Sequence, residues 1–311
     1  MSEENKKTRS KRYEMEEPKK VKVIEKENDQ EPKEHPYLLK AILIISFIFI
    51  ILCIYSFIIC PNFIKVREYK VDSAKLPESF DGIKIVQFAD IHYGTTINKK
   101  QLEKIVNKIN ETKPDIIFFT GDLIDKNIVP TEDIQKEVVE TLSKLNANLY
   151  KYATIGNEDD TEIFNKLLDQ AGFRILNNET TLLYYKSNSP IAISGYNNID
   201  SNPDYNNINE PIDEIDTATL YHIVIMHESN AIDAIIDYNP DLVLTSGTLG
   251  GKIRLLKPLF LPSTTNKYYE EYYRINETNL YVSNGLGTTG VNIRFNNAPS
   301  FNLYRLYKEE N

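Results

Sequence analysis

Residues 83–94 read IKIVQFADIHYG, a short apolar run that ends in an aspartate and a histidine. Its residues are apolar at both odd and even positions, which is typical of a strand covered on both faces. Similar runs follow at 115–122, 149–157, 222–227 and 241–246. Amphipathic segments with apolar residues at helical spacing separate the earlier runs. This alternation predicts an α/β fold with a largely parallel sheet.

The sequence after about residue 174 has a different pattern. It contains an Asn-rich stretch, GYNNIDSNPDYNNINEP at 195–211, and the strand-like segments NLYVSNGLG at 279–287 and SFNLYRLYK at 300–308. Without amphipathic helices between these segments, we expect a more antiparallel second half.

Residues 41–60, AILIISFIFIILCIYSFIIC, are twenty residues without a charge. As a helix they would be about 30 Å long, enough to cross the hydrocarbon layer of a membrane. A buried core helix would carry a polar stripe, and a cleavable signal peptide would lie nearer the start and end in small residues. The segment therefore predicts an uncleaved single-pass anchor.

We predict three regions: a disordered charged tail at 1–36, the transmembrane anchor at 37–64 and one domain at 66–311. Residues 1–40 hold eleven Lys/Arg against ten Asp/Glu, so the remaining 271 residues carry a net charge of -10. An acidic domain argues against nucleic acid as a partner. The lysines before the anchor favour a cytoplasmic tail and an extracytoplasmic domain on the cell membrane.

Four of the predicted strands end in polar side chains that can bind a metal ion. The carboxyl ends of strands in an open α/β sheet are where ligands bind, so these side chains should converge. They are Asp90, His92, Asp122, Asp125, Asn157, Glu158, Asp159, Asp160, His227 and Glu228. His222 lies five positions before His227, so we expect it on the other face of its strand as a packing residue.

The residue types suit a pair of divalent ions. Asp90 and His92 are two positions apart and, in an extended chain, point to the same side. Asp122 follows a glycine that lets backbone approach closely, and its two oxygens could bridge two ions. Asn157 and His227 could complete the second site. Mixed carboxylate, imidazole and amide ligands favour Mn, Fe or Zn over Ca.

Five blocks in order resemble the calcineurin-like metallophosphoesterases, in particular their bacterial membrane-anchored branch. The blocks are FADIHYG, FFTGDLID, TIGNED, IMHESN and TSGTLGGKIRLL, and the resemblance runs from about Val66 to Tyr307. It implies a four-layer α/β/β/α sandwich preceded by one transmembrane helix. It also implies metal-dependent hydrolysis of a phosphomonoester, phosphodiester or lipid-linked pyrophosphate.

The resemblance assigns roles residue by residue. Asp90 and His92 would hold the first ion, Asp122 would bridge, and Asn157 and His227 would hold the second. Asp125 would support the loop. Taken alone, Asp125, Asp159 and Glu228 are better explained as turn residues or helix caps.

Three histidines of the family pattern are absent. The third block of the family reads Gly-Asn-His and the last reads Gly-His-x-His-Gly-Gly. This chain has Glu158, Gly247 and Leu249 at those three positions. Loss of even an indirect partner of a metal ligand typically costs about 10- to 100-fold in affinity or activity. We therefore expect one or two ions, held with reduced affinity, and Glu158 as the only candidate at the catalytic histidine position.

Three functions remain open from the sequence. The chain could be a weakened phosphoesterase that acts on a phosphorylated small molecule or lipid. It could instead be an inactive pseudophosphoesterase that serves as a binding or scaffold protein. A structural membrane-surface module is a third reading, suggested by KPLFLPSTTNKYYEEYYR at 257–274. The oligomeric state stays open.

Overall fold

The structure is a computed structural model that describes residues 36–197, 220–259, 261 and 267–310. The predicted tail, apart from Pro36, and most of the Asn-rich stretch lie outside these residues. The compact unit that contains both sheets begins at Ile48.

The apolar segment forms a helix, α1 (Pro36–Ile54), as the sequence predicts. It continues through one π-helical turn at Tyr55–Ile59 into α2 (Cys60–Asn62). The stretch Tyr37–Asn62 spans 26 residues and is exposed from Tyr37 to Leu52, while Ser56, Cys60 and Pro61 near its end are buried. Among the described residues it is the one helix long and apolar enough to cross a membrane.

Within the described residues, the domain contains two six-stranded sheets and three amphipathic helices. The first sheet consists of β1 (Lys65–Ser73), β2 (Lys84–Phe88), β3 (Ile116–Thr120), β4 (Tyr150–Thr154), β5 (Arg174–Ile175) and β14 (Ser300–Lys308). The second consists of β6 (Glu179–Leu183), β7 (Ile191–Gly195), β8 (His222–Glu228), β9 (Leu242–Ser246), β12 (Tyr272–Ile275) and β13 (Thr278–Val282). A small hairpin is formed by β10 (Ile253–Arg254) and β11 (Pro258–Leu259). The helices are α3 (Lys99–Glu111), α4 (Glu132–Leu142) and α5 (Thr161–Gln170).

The strand order of the first sheet is β1-β14-β2-β3-β4-β5. All of its neighbours are parallel except β14 and β2. The second sheet has the order β12-β13-β9-β8-β7-β6, and its four inner strands are parallel to one another.

The second half of the chain is more antiparallel than the first, as expected, but the inner strands of the second sheet are parallel. Only the edge pairs, β6 with β7 and β12 with β13, are antiparallel. The C-terminal strand β14 also leaves this half of the chain and inserts between β1 and β2 of the first sheet. Parallel neighbours need a long crossover, and here the crossovers lack the helical periodicity from which parallel pairing is usually inferred.

The two sheets pack face to face and form the middle of four layers, as the family resemblance implies. Ile85 and Phe118 of the first sheet meet Ile193 and Leu244 of the second in one buried cluster. Helices α3, α4 and α5 cover the outer face of the first sheet. Short 3₁₀ turns at Ser229–Ala234 and Ile236–Tyr238 lie on the outer face of the second sheet.

The helices begin at side-chain caps that the sequence provides. Asn98 and Gln101 form a reciprocal capping box at the start of α3, at 3.0 Å in each direction. Asp160 caps α5 by accepting a hydrogen bond from the Ile163 amide at 2.9 Å. Asp160 is therefore a structural residue rather than part of a ligand cluster.

The end of the apolar helix is built into the domain. The Arg294 amide donates to the Ser56 carbonyl at 3.1 Å, inside the π-helical turn. The Tyr55 and Phe295 rings meet edge to face, with centroids 5.6 Å apart. Lys104 on α3 donates to the Asn62 carbonyl at 3.0 Å, which satisfies one of the free carbonyls at the helix end.

His222 packs inside the second sheet, as its position in the strand predicts. It is buried, and its Nε2 lies 2.7 Å from the Ser194 hydroxyl. Burial, reinforced by the charge of Lys75, lowers the pKa of His222 to about 4. The native state therefore takes up this proton only well below the ordinary pKa of about 6.5 that applies in the unfolded chain.

The free energy of unfolding should therefore decrease as the pH is lowered, because the native state resists protonation of His222. The stabilisation that neutral His222 contributes is fully present above about pH 6.5. It is lost at about 1.4 kcal/mol per pH unit as the pH falls towards 4. Between pH 7.5 and 5 the free energy of unfolding should decrease by about 2 kcal/mol more in the natural chain than in His222→Gln. Urea unfolding of both proteins at the two pH values measures this difference. Equal pH dependence would contradict the prediction.

Candidate metal centre

Strand ends from both sheets meet around one small cavity of about 60 Å³. Asp90, Asp122 and Asn157 come from the loops that follow β2, β3 and β4, and His227 lies near the end of β8. The lining residues are Asp90, His92, Asp122, Asn157, Glu158, His227, Glu228, Gly247, Leu249 and Thr289. All five predicted metal ligands, Glu158 and both altered loop positions thus border the same cavity.

Asp122 lies between two groups of donor atoms. Its Oδ2 is 3.2 Å from His227 Nε2 and 3.7 Å from His92 Nε2. On one side, His227 Nε2 is also 3.9 Å from Asp90 Oδ1. On the other side, His92 Nδ1 is 3.6 Å from Glu158 Oε2. Within each group of three the ligand atoms lie within 4.8 Å of one another, close enough to surround a single ion.

Three of these residues adopt a backbone conformation that side chains other than glycine seldom take. The φ angles are 53° for Asp90, 46° for His92 and 62° for Asp122. The expectation that Asp90 and His92 share a side because the chain is extended is therefore wrong. The Ile91 and His92 amides instead both donate to the Asp122 carbonyl, at 2.8 and 3.1 Å, and so bend the loop. Such strain in several residues at once is characteristic of functional sites.

Two glycines permit the close approach of the β3 and β4 loops. A Cβ on Gly121 would lie 2.5 Å from the Gly156 amide nitrogen. A Cβ on Gly156 would lie 2.3 Å from Asp122 Oδ1. Neither position can carry a side chain without displacing the donor groups.

Several buried polar atoms at this cavity lack a partner. Among the described residues, no hydrogen bond of ordinary geometry is made by either oxygen of Asp90, by His92 Nδ1, by Glu158 Oε2 or by His227 Nε2. Leaving such atoms unsatisfied is costly, and charged groups cost the most. A divalent cation would satisfy them together, so the donor set fits a metal ion.

The electrostatics of the cavity agree with this fit. Burial raises the pKa of Asp90 to about 7, although the neighbouring His227 opposes the shift. Burial also disfavours the charged form of Asp122, but His227 and His92 prevail and lower its pKa. For His227 burial acts to lower the pKa, and the Asp122 carboxylate more than compensates and raises it. The site concentrates negative charge that a cation would neutralise.

The neighbours of His227 fix the orientation of its ring. Nδ1 lies 2.6 Å from the Thr120 carbonyl, to which only a protonated nitrogen can donate. The Ser246 hydroxyl is 3.1 Å from the same nitrogen. This arrangement directs Nε2 towards Asp90 and Asp122, as a second partner does for metal-binding histidines generally.

The wall formed by the loop after β9 carries no ligand side chain. Gly247 has a φ of 76°, and a Cβ added there would lie 2.9 Å from His227 Nε2. Leu249 is buried, with a φ of 50°. It presents hydrocarbon to the cavity where the family resemblance implies an imidazole.

Glu158 and Asn157 occupy the rim. Lys126 Nζ lies 2.7 Å from Glu158 Oε1, while the other carboxylate oxygen faces His92. Glu158 is thus held between an exposed cation and the donor cluster. Asn157 is exposed at the edge of the cavity.

Asp159 has a larger role than the sequence suggested. Its carboxylate accepts hydrogen bonds from the amides of Asp122, Leu123 and Gly156 at 2.7 to 2.9 Å. It therefore joins the β3 and β4 loops and sets the position of Asp122. Asp125 has the supporting role expected of it, because its Oδ1 accepts from the backbone and side chain of Asn127 at 2.9 and 3.0 Å.

Arg294 is a positioning residue that sequence analysis missed. It is fully buried, and its guanidinium donates to the carbonyls of Asn284, Gly285, Gly287 and Asn297 at 2.7 to 3.4 Å. This loop contacts the candidate metal site directly, since the Gly287 amide donates to the Asp90 carbonyl at 2.6 Å. A Cβ on Gly285 would lie 2.6 Å from Asp90 Oδ2.

Comparison with known proteins identifies the family. The family model for calcineurin-like phosphoesterases matches residues 83–249. An uncharacterized metallophosphoesterase of Bacillus subtilis, YkuE, is 33% identical over 253 residues, which cover 79% of this chain and 86% of that protein. A transmembrane protein with a metallophosphoesterase domain from Danio rerio is 26% identical over 78% of this chain and 57% of its own length. The UDP-2,3-diacylglucosamine pyrophosphatase LpxG of Chlamydia muridarum is 25% identical over 80% of this chain and 91% of its own length. The chain therefore belongs to the calcineurin-like phosphoesterase family.

Proposed function

We propose that this protein is a membrane-anchored, metal-dependent phosphoesterase with an altered set of metal ligands. The observation that carries the proposal is the position of Asp122 Oδ2, 3.2 Å from His227 Nε2 and 3.7 Å from His92 Nε2. One carboxylate that faces both donor groups is suited to bridge two ions, the arrangement used in binuclear phosphoester hydrolysis.

The donors would be divided differently from the expectation based on sequence. Asp90, Asp122 and His227 would hold one ion, and His92, Asp122 and Glu158 the other, with Asn157 at the rim. Mixed carboxylate and imidazole ligands suit Mn, Fe or Zn. Ions bound there would supply an acidified water as nucleophile and charge stabilisation for the phosphoryl oxygens.

The residues around the donors hold the site and attract the substrate. Thr120 and Ser246 orient the His227 ring, and Asp159 fixes the loop that carries Asp122. Lys126 places a positive charge at the rim beside Glu158. Its charge would reduce the repulsion between the carboxylates and an anionic substrate.

Two observations support an amphiphilic phosphoester as the substrate. The helix α1 is long and apolar enough to cross a membrane, which supports a location of the domain where lipid phosphates are concentrated. Similarity to a protein named UDP-2,3-diacylglucosamine pyrophosphatase supports an acylated substrate that contains pyrophosphate. The lysines that precede the anchor support a single span with the domain on the extracytoplasmic side of the cell membrane.

Metal binding by the full chain tests the proposal. The detergent-solubilised protein, stripped with a chelator and titrated with Mn²⁺, should bind one or two ions and hydrolyse a chromogenic phosphodiester. Glu158→Gln should weaken Mn²⁺ binding by about 10- to 100-fold, because it removes a charged donor beside His92. Glu162→Gln, an exposed glutamate in the first turn of α5, is the matched control and should bind as the natural chain does. Equal Mn²⁺ affinity in both variants would remove Glu158 from the ligand set.

A catalytically inactive binding or scaffold protein is the second candidate. Gly247 and Leu249 favour it, because the wall they form offers hydrocarbon and no imidazole. Tight Mn²⁺ binding without hydrolysis of phosphomonoester, phosphodiester or lipid pyrophosphate would support this candidate and contradict the enzyme.

A further inference from the structure

We propose that the tip of the β10–β11 hairpin, residues 255–257, rests in the headgroup layer of the membrane that holds α1. This inference depends on the proposed membrane anchoring. Leu256 is completely exposed, and Leu255 is 62% exposed. Lys257, which follows them, is exposed as well. Two adjacent leucines at the tip of a hairpin form an apolar projection, whereas exposed leucines on soluble proteins are usually scattered singly.

The hairpin is attached to the same segment that holds the end of the apolar helix. The Arg254 amide donates to the Phe295 carbonyl at 2.9 Å, and the Phe295 amide donates to the Lys252 carbonyl at 3.0 Å. The Phe295 ring contacts Tyr55, and the adjacent residue Arg294 bonds to Ser56. One residue, Phe295, thus lies between the base of the hairpin and the helix.

The length of the apolar segment determines where the contact between Phe295 and the helix lies relative to the membrane surface. Residues 41–60 are uncharged and as a helix would be about 30 Å long, the thickness of the hydrocarbon layer. The helix already contacts the domain at Tyr55 and Ser56, before that segment ends. The surface around Phe295 must therefore lie at the membrane boundary. Leu256 is two residues beyond Arg254, within about 7 Å of the end of the strand.

The residue types at the hairpin tip, two leucines and a lysine, suit the interface between membrane and water. Leucine side chains favour the boundary between headgroups and acyl chains, and a neighbouring lysine can place its ammonium among the headgroups. Arg254, at the base, is paired with Glu270 and Glu271 and so stays with the domain. Two of the tyrosines that follow along the chain contact the domain: Tyr268 bonds to Asp233, and its ring meets that of Tyr273.

The absence of tryptophan from the sequence allows a direct test. Full-length Leu256→Trp is placed in lipid nanodiscs that contain either ordinary or brominated phospholipid, and tryptophan emission is recorded. Leu182→Trp, a partly exposed leucine on the edge strand β6, is the matched control. Phe49→Trp, within α1, reports on the anchor itself.

We expect brominated lipid to quench Leu256→Trp and Phe49→Trp roughly twofold and to leave Leu182→Trp almost unchanged. Quenching of Phe49→Trp alone would overturn the hairpin contact and leave the anchor intact. Blue-shifted but unquenched emission from Leu256→Trp would show that protein covers the tip, which also overturns the proposal. Loss of quenching at Phe49→Trp would refute the membrane anchor, and the hairpin contact with it.

Discussion

Replacing Asp122 by asparagine should lower Mn²⁺-dependent hydrolysis of a phosphodiester on the order of 10²- to 10³-fold. Asp122 faces His92 on one side and His227 on the other, so one substitution removes charge from both donor groups. Asparagine keeps the oxygen that accepts from the Glu158 amide at 3.1 Å, so the loop should retain its shape. Initial rates and bound Mn²⁺ per chain, measured on the same preparations, give the result.

Asp115→Asn is the control for this substitution. Asp115 precedes the amino end of β3, and its carboxylate accepts from the Lys84 amide and the Asn148 side chain at 2.8 Å. It belongs to the opposite end of the same strand, so its replacement should leave hydrolysis and bound Mn²⁺ unchanged. Natural rates and metal content in Asp122→Asn would contradict the shared position of this carboxylate.

Arg294→Met should destabilise the domain by about 3 to 5 kcal/mol, because it leaves the carbonyls of Asn284, Gly285 and Gly287 without their buried donor. Burial lowers the pKa of Arg294 only to about 10, so the guanidinium remains charged at neutral pH. For a domain of this size the melting temperature should fall by roughly 10 °C. Thermal unfolding of the full chain in detergent, followed by circular dichroism, measures the change.

Arg274→Met is the matched control, since Arg274 is exposed on β12 and its replacement should change stability by less than about 0.5 kcal/mol. Arg294→Lys should be nearly as damaging as Arg294→Met, because an ammonium cannot reproduce the planar array of donors. Equal melting temperatures for Arg294→Met and the natural chain would show that the guanidinium is dispensable.

Much of the candidate metal centre could be located from the sequence because polar residues at strand ends indicate which side chains the fold brings together. Asp90, Asp122 and His227 each stand at the end of an apolar run, and parallel strands bring such ends to one edge. The buried face of α3 could also be predicted, since Leu102, Ile105 and Ile109 recur at helical spacing.

The remaining features depend on contacts between distant parts of the chain. In the sequence Asp159 looks like an ordinary turn aspartate. Its role depends on the amides of Asp122 and Leu123, which lie about 36 residues earlier in the β3 loop and donate to its carboxylate. Arg294 follows no strand, and its role depends on four carbonyls gathered by the fold. The left-handed backbone of Asp90 and His92 likewise arises from hydrogen bonds to the neighbouring loop. Local pattern contains none of this information.

The π-helical turn at Tyr55–Ile59 bears on how the proposed membrane-anchored enzyme would reach its substrates. Its Ser56 carbonyl is bonded to the Arg294 amide, and the Arg294 side chain holds the loop behind Asp90. A catalytic domain on a flexible stalk would sweep a wide volume above the lipid. In the described part of the chain these bonds join the end of the helix directly to the loop behind Asp90, so under the proposed anchoring the candidate metal centre would lie at one fixed distance from the bilayer and would favour molecules whose phosphates lie at that level.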